Sequence, residues 1–123
     1  MAYSVLKWFF PIFLGMAFGA LAMILHEAGH LSMALALGIK VKHVGLRWKG
    51  LYTIREVGSP ARNLVATLAG PLTNAVLMAF WHWSPTFGLA NFCFALCNIL
   101  PIEGSDGDRA LRCWQEMRSR VAP

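Results

Sequence analysis

The sequence predicts an all-α membrane protein with three transmembrane helices, a small β-hairpin and a C-terminal amphipathic helix. Its 123 residues, enough for one domain, are 57% hydrophobic and only 14% charged, whereas soluble domains carry roughly 25% charged residues. Residues 8–39 and 63–102 contain a single Asp, Glu, Lys or Arg between them, which is Glu27. Almost all the basic residues lie between or after these apolar stretches, as in membrane proteins with cytoplasmic loops.

The first span is predicted at about residues 8–39. At about 1.5 Å per residue, a helix of this length exceeds the bilayer core of about 30 Å. Pro11 is expected in its first turn or at a kink. Gly15 and Gly19 give this helix a flat face that another helix can approach closely.

The second apolar stretch is too long for one helix, and Pro85 and Gly88 divide it. A second span is therefore predicted at about residues 62–81 and a third at about residues 87–100. The third is short for a full crossing. Ser59 followed by Pro60 is typical of a helix start, with serine as the N-cap and proline in the first turn.

Two smaller elements complete the prediction. Residues 41–57 are rich in β-forming side chains around a candidate turn at Lys49 and Gly50, which predicts a β-hairpin. Residues 108–120 predict an amphipathic surface helix, with Leu111, Trp114 and Met117 at helical spacing.

The distribution of Lys and Arg predicts the orientation. The segment 40–62 and the tail after Asp108 contain ten of the 11 basic residues, and the turn between spans two and three contains none. An integral, multi-pass protein with its hairpin and C-terminus in the cytoplasm fits this distribution. The lipid bilayer is thus an expected partner, and nucleic acid is not, because the basic residues are not interleaved on a soluble face. Three cysteines without framework spacing argue against a disulfide scaffold.

The motif H-E-x-x-H lies inside the first predicted span, as His26, Glu27 and His30. Ionisable groups at membrane depth are costly and mark functional sites. Two histidines four residues apart on a helix can reach one Zn²⁺ ion, and the glutamate beside them can act as a general base. The alternative without a metal is a pair of hydrogen-bonded core histidines with an interfacial glutamate.

A third zinc ligand is expected at Asp106. It follows the third span in a polar loop, and in the three-span topology this loop and the motif lie in the same half of the membrane. Zn²⁺ with Glu27 and Asp106 ionised has no net charge, which a low dielectric tolerates. Glu103 and Asp108 are nearby carboxylates that could also assist the metal.

Three segments of the sequence belong to one pattern. Residues 24–30 contain H-E-x-x-H, residues 69–74 read A-G-P-L-T-N, and residues 98–107 read N-I-L-P-I-E-G-S-D-G. Together they resemble the H-E-x-x-H motif, the A-G-P-x-x-N helix and the N-x-x-P-x-x-x-x-D-G segment of the site-2 protease family of intramembrane zinc metalloproteases. The order and approximate spacing hold over most of the chain, as expected for a minimal three-helix core.

The resemblance implies that His26, His30 and Asp106 are zinc ligands and that Glu27 is the catalytic base. Asn98 and Asn74 match the family's intramembrane asparagines, which implies contact with a substrate carbonyl or oxyanion. The alternative for both asparagines is a helix–helix hydrogen bond.

The expected function is that of an intramembrane zinc metalloendopeptidase. It would hydrolyse peptide bonds in or near transmembrane segments of substrate proteins, in regulated intramembrane proteolysis. Its expected partners are a transmembrane protein substrate and, because three helices enclose little volume, a second copy or a regulatory membrane protein. The alternatives are a non-catalytic membrane subunit stabilised by zinc and a membrane scaffold without metal.

Overall fold

A computed structural model of the chain describes residues 2–48 and 50–122. The protein is mostly helical, with one small antiparallel sheet of two strands. In chain order the elements are α1 (Ala2–Ala36), β1 (Val41–Arg47), β2 (Gly50–Arg55), α2 (Pro60–Leu77), a 3₁₀ helix (Met78–His82), α3 (Pro85–Ile99) and α4 (Asp106–Val121). The helices and the hairpin expected from the sequence are present as secondary structure, although several begin or end at other residues than expected.

The first helix starts earlier and ends earlier than predicted. α1 contains 35 residues and is about 52 Å long at 1.5 Å per residue. Because α1 begins at Ala2, Pro11 lies inside the helix and not in its first turn. The helix ends before Ile39 because Gly38 adopts a left-handed conformation, with φ of +73°, which stops a helix at little cost only in glycine.

The predicted hairpin is present between α1 and α2. Arg47 pairs with Gly50 at its closed end, and an irregularity between Val41 and His43 interrupts the register near its open end. β2 makes the more extensive contact with α1 and ends at Arg55, two residues before the predicted boundary. Lys49, expected in the turn, lies outside the described residues.

The start of α2 is confirmed as predicted. Ser59 is the N-cap and its side chain accepts a hydrogen bond from the backbone N–H of Arg62, while Pro60 occupies the first turn. After Leu77 the chain continues as the 3₁₀ helix, so the helical stretch covers residues 60–82. Pro71 lies within α2 and is buried.

Two helical segments, Tyr3–Ala36 and Pro60–His82, are long and apolar enough to cross a membrane. α3 is apolar but has only 15 residues, or about 22 Å, which is less than a bilayer core of about 30 Å. The structure therefore supports two candidate spans by length and composition.

α4 begins at Asp106, two residues before the predicted start. Ser105 caps it by accepting a hydrogen bond from the backbone N–H of Asp108 at 3.2 Å. The helix packs against α2 and leaves Leu111 and Trp114 exposed, as expected for an amphipathic surface helix.

Small and polar residues form the interior of the protein. The buried apolar side chains include Ala22, Ala34 and Ala66, and the buried polar set consists of His26, His30, Thr67, Asn74, Asn91 and Asp106. The large apolar side chains lie outside. Trp8, for example, is 78% exposed. This arrangement is the reverse of a soluble domain, in which large apolar side chains form the core.

Candidate metal centre

Three buried side chains meet at one point between α1 and α4. Nε2 of His26 lies 2.9 Å from Oδ2 of Asp106, and Nε2 of His30 lies 3.1 Å from the same oxygen. The two Nε2 atoms are 3.1 Å apart. The structure thus brings together the three ligands expected from the sequence, in an arrangement that could hold a metal ion.

Local helix geometry positions the two histidines. They lie one turn apart on one face of α1, with ring centroids 4.7 Å apart and the rings edge to face. Glu27 is next to them, and one ligand atom from each of His26, Glu27 and His30 lies within 4.8 Å of the others. A motif of five residues is enough to set this part of the site.

Asp106 reaches the histidines because α4 begins close to the end of α3. A β-carbon at Gly107 would collide with the backbone carbonyl of Ile99, so only glycine permits this approach. Burial favours the neutral carboxyl, but a proton on Nε2 of His26 or His30, which then donates to the carboxylate, holds the pKa of Asp106 well below its usual range. Its position in the first turn of α4 also favours the carboxylate.

Hydrogen bonds on the far side of each imidazole ring fix which nitrogen holds the proton. Nδ1 of His30 donates to the backbone carbonyl of Ala66 at 2.8 Å. Nδ1 of His26 donates to Oδ1 of Asn74 at 2.5 Å. Both rings therefore keep a proton on Nδ1, and in the neutral ring Nε2 presents a lone pair to the centre. Metal-binding histidines typically have such an arrangement.

The orientation of the Asn74 amide is itself fixed. Its Nδ2 donates to the carbonyl of Ala22 at 3.1 Å and to Oδ1 of Asn91 at 2.8 Å, while Asn91 donates to the carbonyl of Phe87 at 3.0 Å. A flipped Asn74 would place its oxygen against two acceptors. The acceptor atom of Asn74 consequently must face His26.

Because of these bonds, two lone pairs and a carboxylate oxygen converge within 3.1 Å of one another. Acceptor atoms this close repel unless a cation lies among them. Either a proton on one imidazole or a metal cation meets that requirement. The chemistry of the donors, two imidazole nitrogens and one carboxylate, is that of a transition-metal site.

Gly70 leaves open the space that such a cation needs. A β-carbon at residue 70 would contact Nε2 of His30 and lie 2.8 Å from Nε2 of His26. The α2 backbone therefore passes directly beside the ligand atoms, and a side chain there would fill the centre. Gly70 thus allows α2 to approach the helix that bears the motif closely.

Glu27 lies at a polar pocket beside the centre. Oε2 of Glu27 accepts a hydrogen bond from the hydroxyl of Thr53 on β2 at 3.2 Å. The pocket has a volume of about 130 Å³ and is lined by Glu27, His30, Leu51, Tyr52, Thr53, Arg55, Asp106 and Arg109. At about 30 Å³ per water molecule, it has room for about four waters or one peptide unit.

The two asparagines expected to contact substrate make hydrogen bonds within the protein. Asn74 is fully buried, and its amide makes the hydrogen bonds to His26, Ala22 and Asn91 given above, which correspond to the alternative of a helix–helix contact. Asn98 is half-buried and donates to the carbonyl of Phe94 in its own helix at 2.9 Å. In residues 2–48 and 50–122, no hydrogen bond links Asn98 to the metal centre.

The other nearby carboxylates point elsewhere. Asp108 forms an ion pair with Arg112 at 3.0 Å and accepts a hydrogen bond from the backbone of Gly104, and Glu103 is exposed. The geometry therefore favours Asp106 over both as the third ligand.

Sequence reasoning missed Asn91, Thr53 and Arg55. Asn91 offered a signal, because it is a polar residue in an apolar helix, seven residues or about two turns before Asn98, and buried polar groups need partners. Thr53 and Arg55 are two residues apart on β2, so their side chains lie on the same face of the strand. The sequence of the hairpin does not show that this face contacts α1.

A scan against models of known protein families found no match, and a search of curated proteins found no relative.

The position of Gly70 leads to a first prediction. Gly70→Ala should lower the affinity for Zn²⁺ at least about 10-fold, because the added methyl group occupies the space between the ligand nitrogens. Competition with a chelator measures the affinity, and circular dichroism checks the helix content. Gly19→Ala is the matched control, because a β-carbon there has no atom within 4 Å. Equal zinc affinity in both variants would contradict this role of Gly70.

Asn91 gives a second prediction. Asn91→Leu should lower zinc affinity about 10- to 100-fold, because only the carbonyl of Ala22 then opposes rotation of Asn74, and a rotated Asn74 offers its N–H₂ group to Nδ1 of His26. ¹⁵N NMR of the metal-free protein should show the His26 proton moving from Nδ1 towards Nε2. Asn98→Leu, which removes a hydrogen bond within the same helix, should change neither quantity. An unaltered His26 tautomer in Asn91→Leu would refute the prediction.

Proposed function

We propose that this protein is an intramembrane zinc metalloendopeptidase that hydrolyses peptide bonds in or near transmembrane segments of other proteins. One observation carries the proposal: His26, His30 and Asp106 converge beside a polar pocket that also contains Glu27. The proposal extends the resemblance to the site-2 protease family, in which the same residue types act as zinc ligands and base.

The donor set and its spacing support zinc as the metal. Ligands of tetrahedral zinc lie at about 2.0–2.1 Å from the ion and hence about 3.3 Å from one another. The donor atoms here are 2.9–3.1 Å apart, so small movements suffice. Three protein ligands with an adjacent pocket are typical of catalytic zinc, since structural zinc has four protein ligands.

A zinc ion held by these residues would supply a Lewis acid that polarises a peptide carbonyl and acidifies water. Glu27 is placed to handle the protons. As the water oxygen bonds to the carbonyl carbon, Glu27 takes one proton from it. As the C–N bond breaks, Glu27 passes that proton to the leaving nitrogen. The products are a carboxylic acid and an amine, which exchange the remaining proton.

The inverted distribution of side chains supports a membrane location. Polar groups and small residues lie inside, whereas large apolar side chains face outwards over most of α1. In lipid this exterior is solvated, and small residues at helix contacts are the usual mode of packing. We propose three membrane segments, formed by α1, by α2 with the 3₁₀ helix, and by the shorter α3.

The basic residues support an orientation with the hairpin and α4 in the cytoplasm. In this orientation the metal centre lies near the cytoplasmic end of the bundle, below the hairpin. A substrate helix must unwind to expose its backbone there, because helical amides are already hydrogen-bonded. In this proposal the extended segment enters the pocket at Glu27, which has a volume of about 130 Å³.

The proposal predicts that Glu27→Gln abolishes cleavage without removing the metal. Glutamine preserves the size of the side chain and an oxygen for Thr53 but cannot take a proton, and general-base catalysis is worth about 10²- to 10⁴-fold. The measurement is cleavage of a panel of single-span membrane proteins in liposomes, together with zinc content.

Glu56→Gln is the matched control, because Glu56 is an exposed glutamate just beyond β2. It should cleave the panel at the wild-type rate. Cleavage by Glu27→Gln at the wild-type rate would refute the proposed function.

A further inference from the structure

Arg55 is one of two positively charged side chains that line the pocket containing Glu27. It ends β2 and lines the pocket together with Glu27 and Asp106. Its Nη2 donates to the hydroxyl of Thr67 on α2 at 3.0 Å, and Thr67 is 3% exposed. The guanidinium is thus held at the pocket by a fixed partner on a neighbouring helix.

Most of the hydrogen-bonding capacity of Arg55 is unused by the protein. A guanidinium has five N–H donors, and the bond to Thr67 uses one. Within the described part of the chain, none of the ion pairs includes Arg55, and no buried side-chain nitrogen lacks a partner. The remaining donors are therefore accessible to solvent, and because Arg55 lines the pocket, a group bound there can accept from them.

The charges of the pocket favour an anion at this point. Glu27 and Asp106 balance Arg55 and Arg109, so a divalent metal ion would give the site a net charge of about +2. Arg109 is 63% exposed and is screened by water, whereas Arg55 is partly buried. Burial and the neighbouring Arg109 lower the pKa of Arg55, but an arginine remains protonated at neutral pH.

We propose that Arg55 is a catalytic residue that binds the oxygen of the scissile carbonyl and stabilises the oxyanion formed on it. This inference rests on the proposed function. The amide of Asn98, which the family resemblance implies for this role, is directed to Phe94 in its own helix, whereas Arg55 has free donors in the pocket.

The charge that Arg55 would stabilise arises in a definite step. When the water oxygen bonds to the carbonyl carbon, the π-electron pair of the carbonyl moves to its oxygen while Glu27 takes a proton. That oxygen becomes negative next to the guanidinium. When the C–N bond breaks, the pair re-forms the carbonyl, so the Arg55 hydrogen bonds are strongest in the intermediate.

Kinetics of four variants separate this role from a merely structural one. Arg55→Gln should lower kcat about 10²- to 10³-fold, the usual effect of losing an oxyanion donor, with unchanged zinc content. Arg55→Lys should recover part of the loss. Thr67→Val removes the fixed partner but keeps the guanidinium, so it should cost no more than about fivefold. Arg62→Gln, which removes an exposed positive charge at the start of α2, should have no effect.

A loss in Thr67→Val as large as in Arg55→Gln would overturn the inference, because Arg55 would then only attach the hairpin to α2. A wild-type kcat in Arg55→Gln would also overturn it, while cleavage that still depends on Glu27 would leave the proposed function intact.

Binding of a phosphinic peptide, an anionic mimic of the tetrahedral intermediate, tests Arg55 without any turnover. The zinc-loaded Glu27→Gln protein should bind it, and the double variant with Arg55→Gln should bind it about 100-fold more weakly. Equal binding by the two proteins, or none by either, would contradict the proposed role even if no cleaved substrate were found.

Discussion

Two imidazole nitrogens and one carboxylate oxygen lie within 3.1 Å of one another in the interior of this protein. They repel unless a cation lies among them, and most other features of the structure serve to bring them together. Gly107 lets α4 begin beside the end of α3, and Gly70 keeps the α2 backbone clear of the ligand atoms. Carbonyl and amide oxygens on the far side of the rings keep their protons away from the centre.

The same interaction explains why the interior is polar. α1 supplies His26 and His30, α2 supplies Asn74 and α3 supplies Asn91, and their hydrogen bonds join α1 to α2 and α2 to α3. Such a network is costly in a partly satisfied state and specific when complete. We infer that a metal ion would complete it, and that the lipid would solvate the apolar exterior. Folding, metal binding and membrane insertion are then closely coupled.

Some parts of this structure follow from short segments of sequence. The pair His26 and His30 needs only helix periodicity, and the start of α2 needs only Ser59 and Pro60. The arrangement around Asn74 could not be predicted in that way, because its amide orientation depends on Ala22 and Asn91. The contact of Glu27 with β2 and the place of Arg55 in the same pocket likewise depend on tertiary packing. The first residue of α1 depends on how far the helix continues beyond the apolar stretch.

Zinc content of the purified protein and of two aspartate variants tests the metal centre most directly. A site formed by His26, His30 and Asp106 should hold about one zinc ion per chain in the wild type and in Asp108→Ala, whose carboxylate pairs with Arg112, and should lose that zinc in Asp106→Ala. Wild-type protein without stoichiometric zinc, or Asp106→Ala protein that retains it, would contradict a zinc site at these residues.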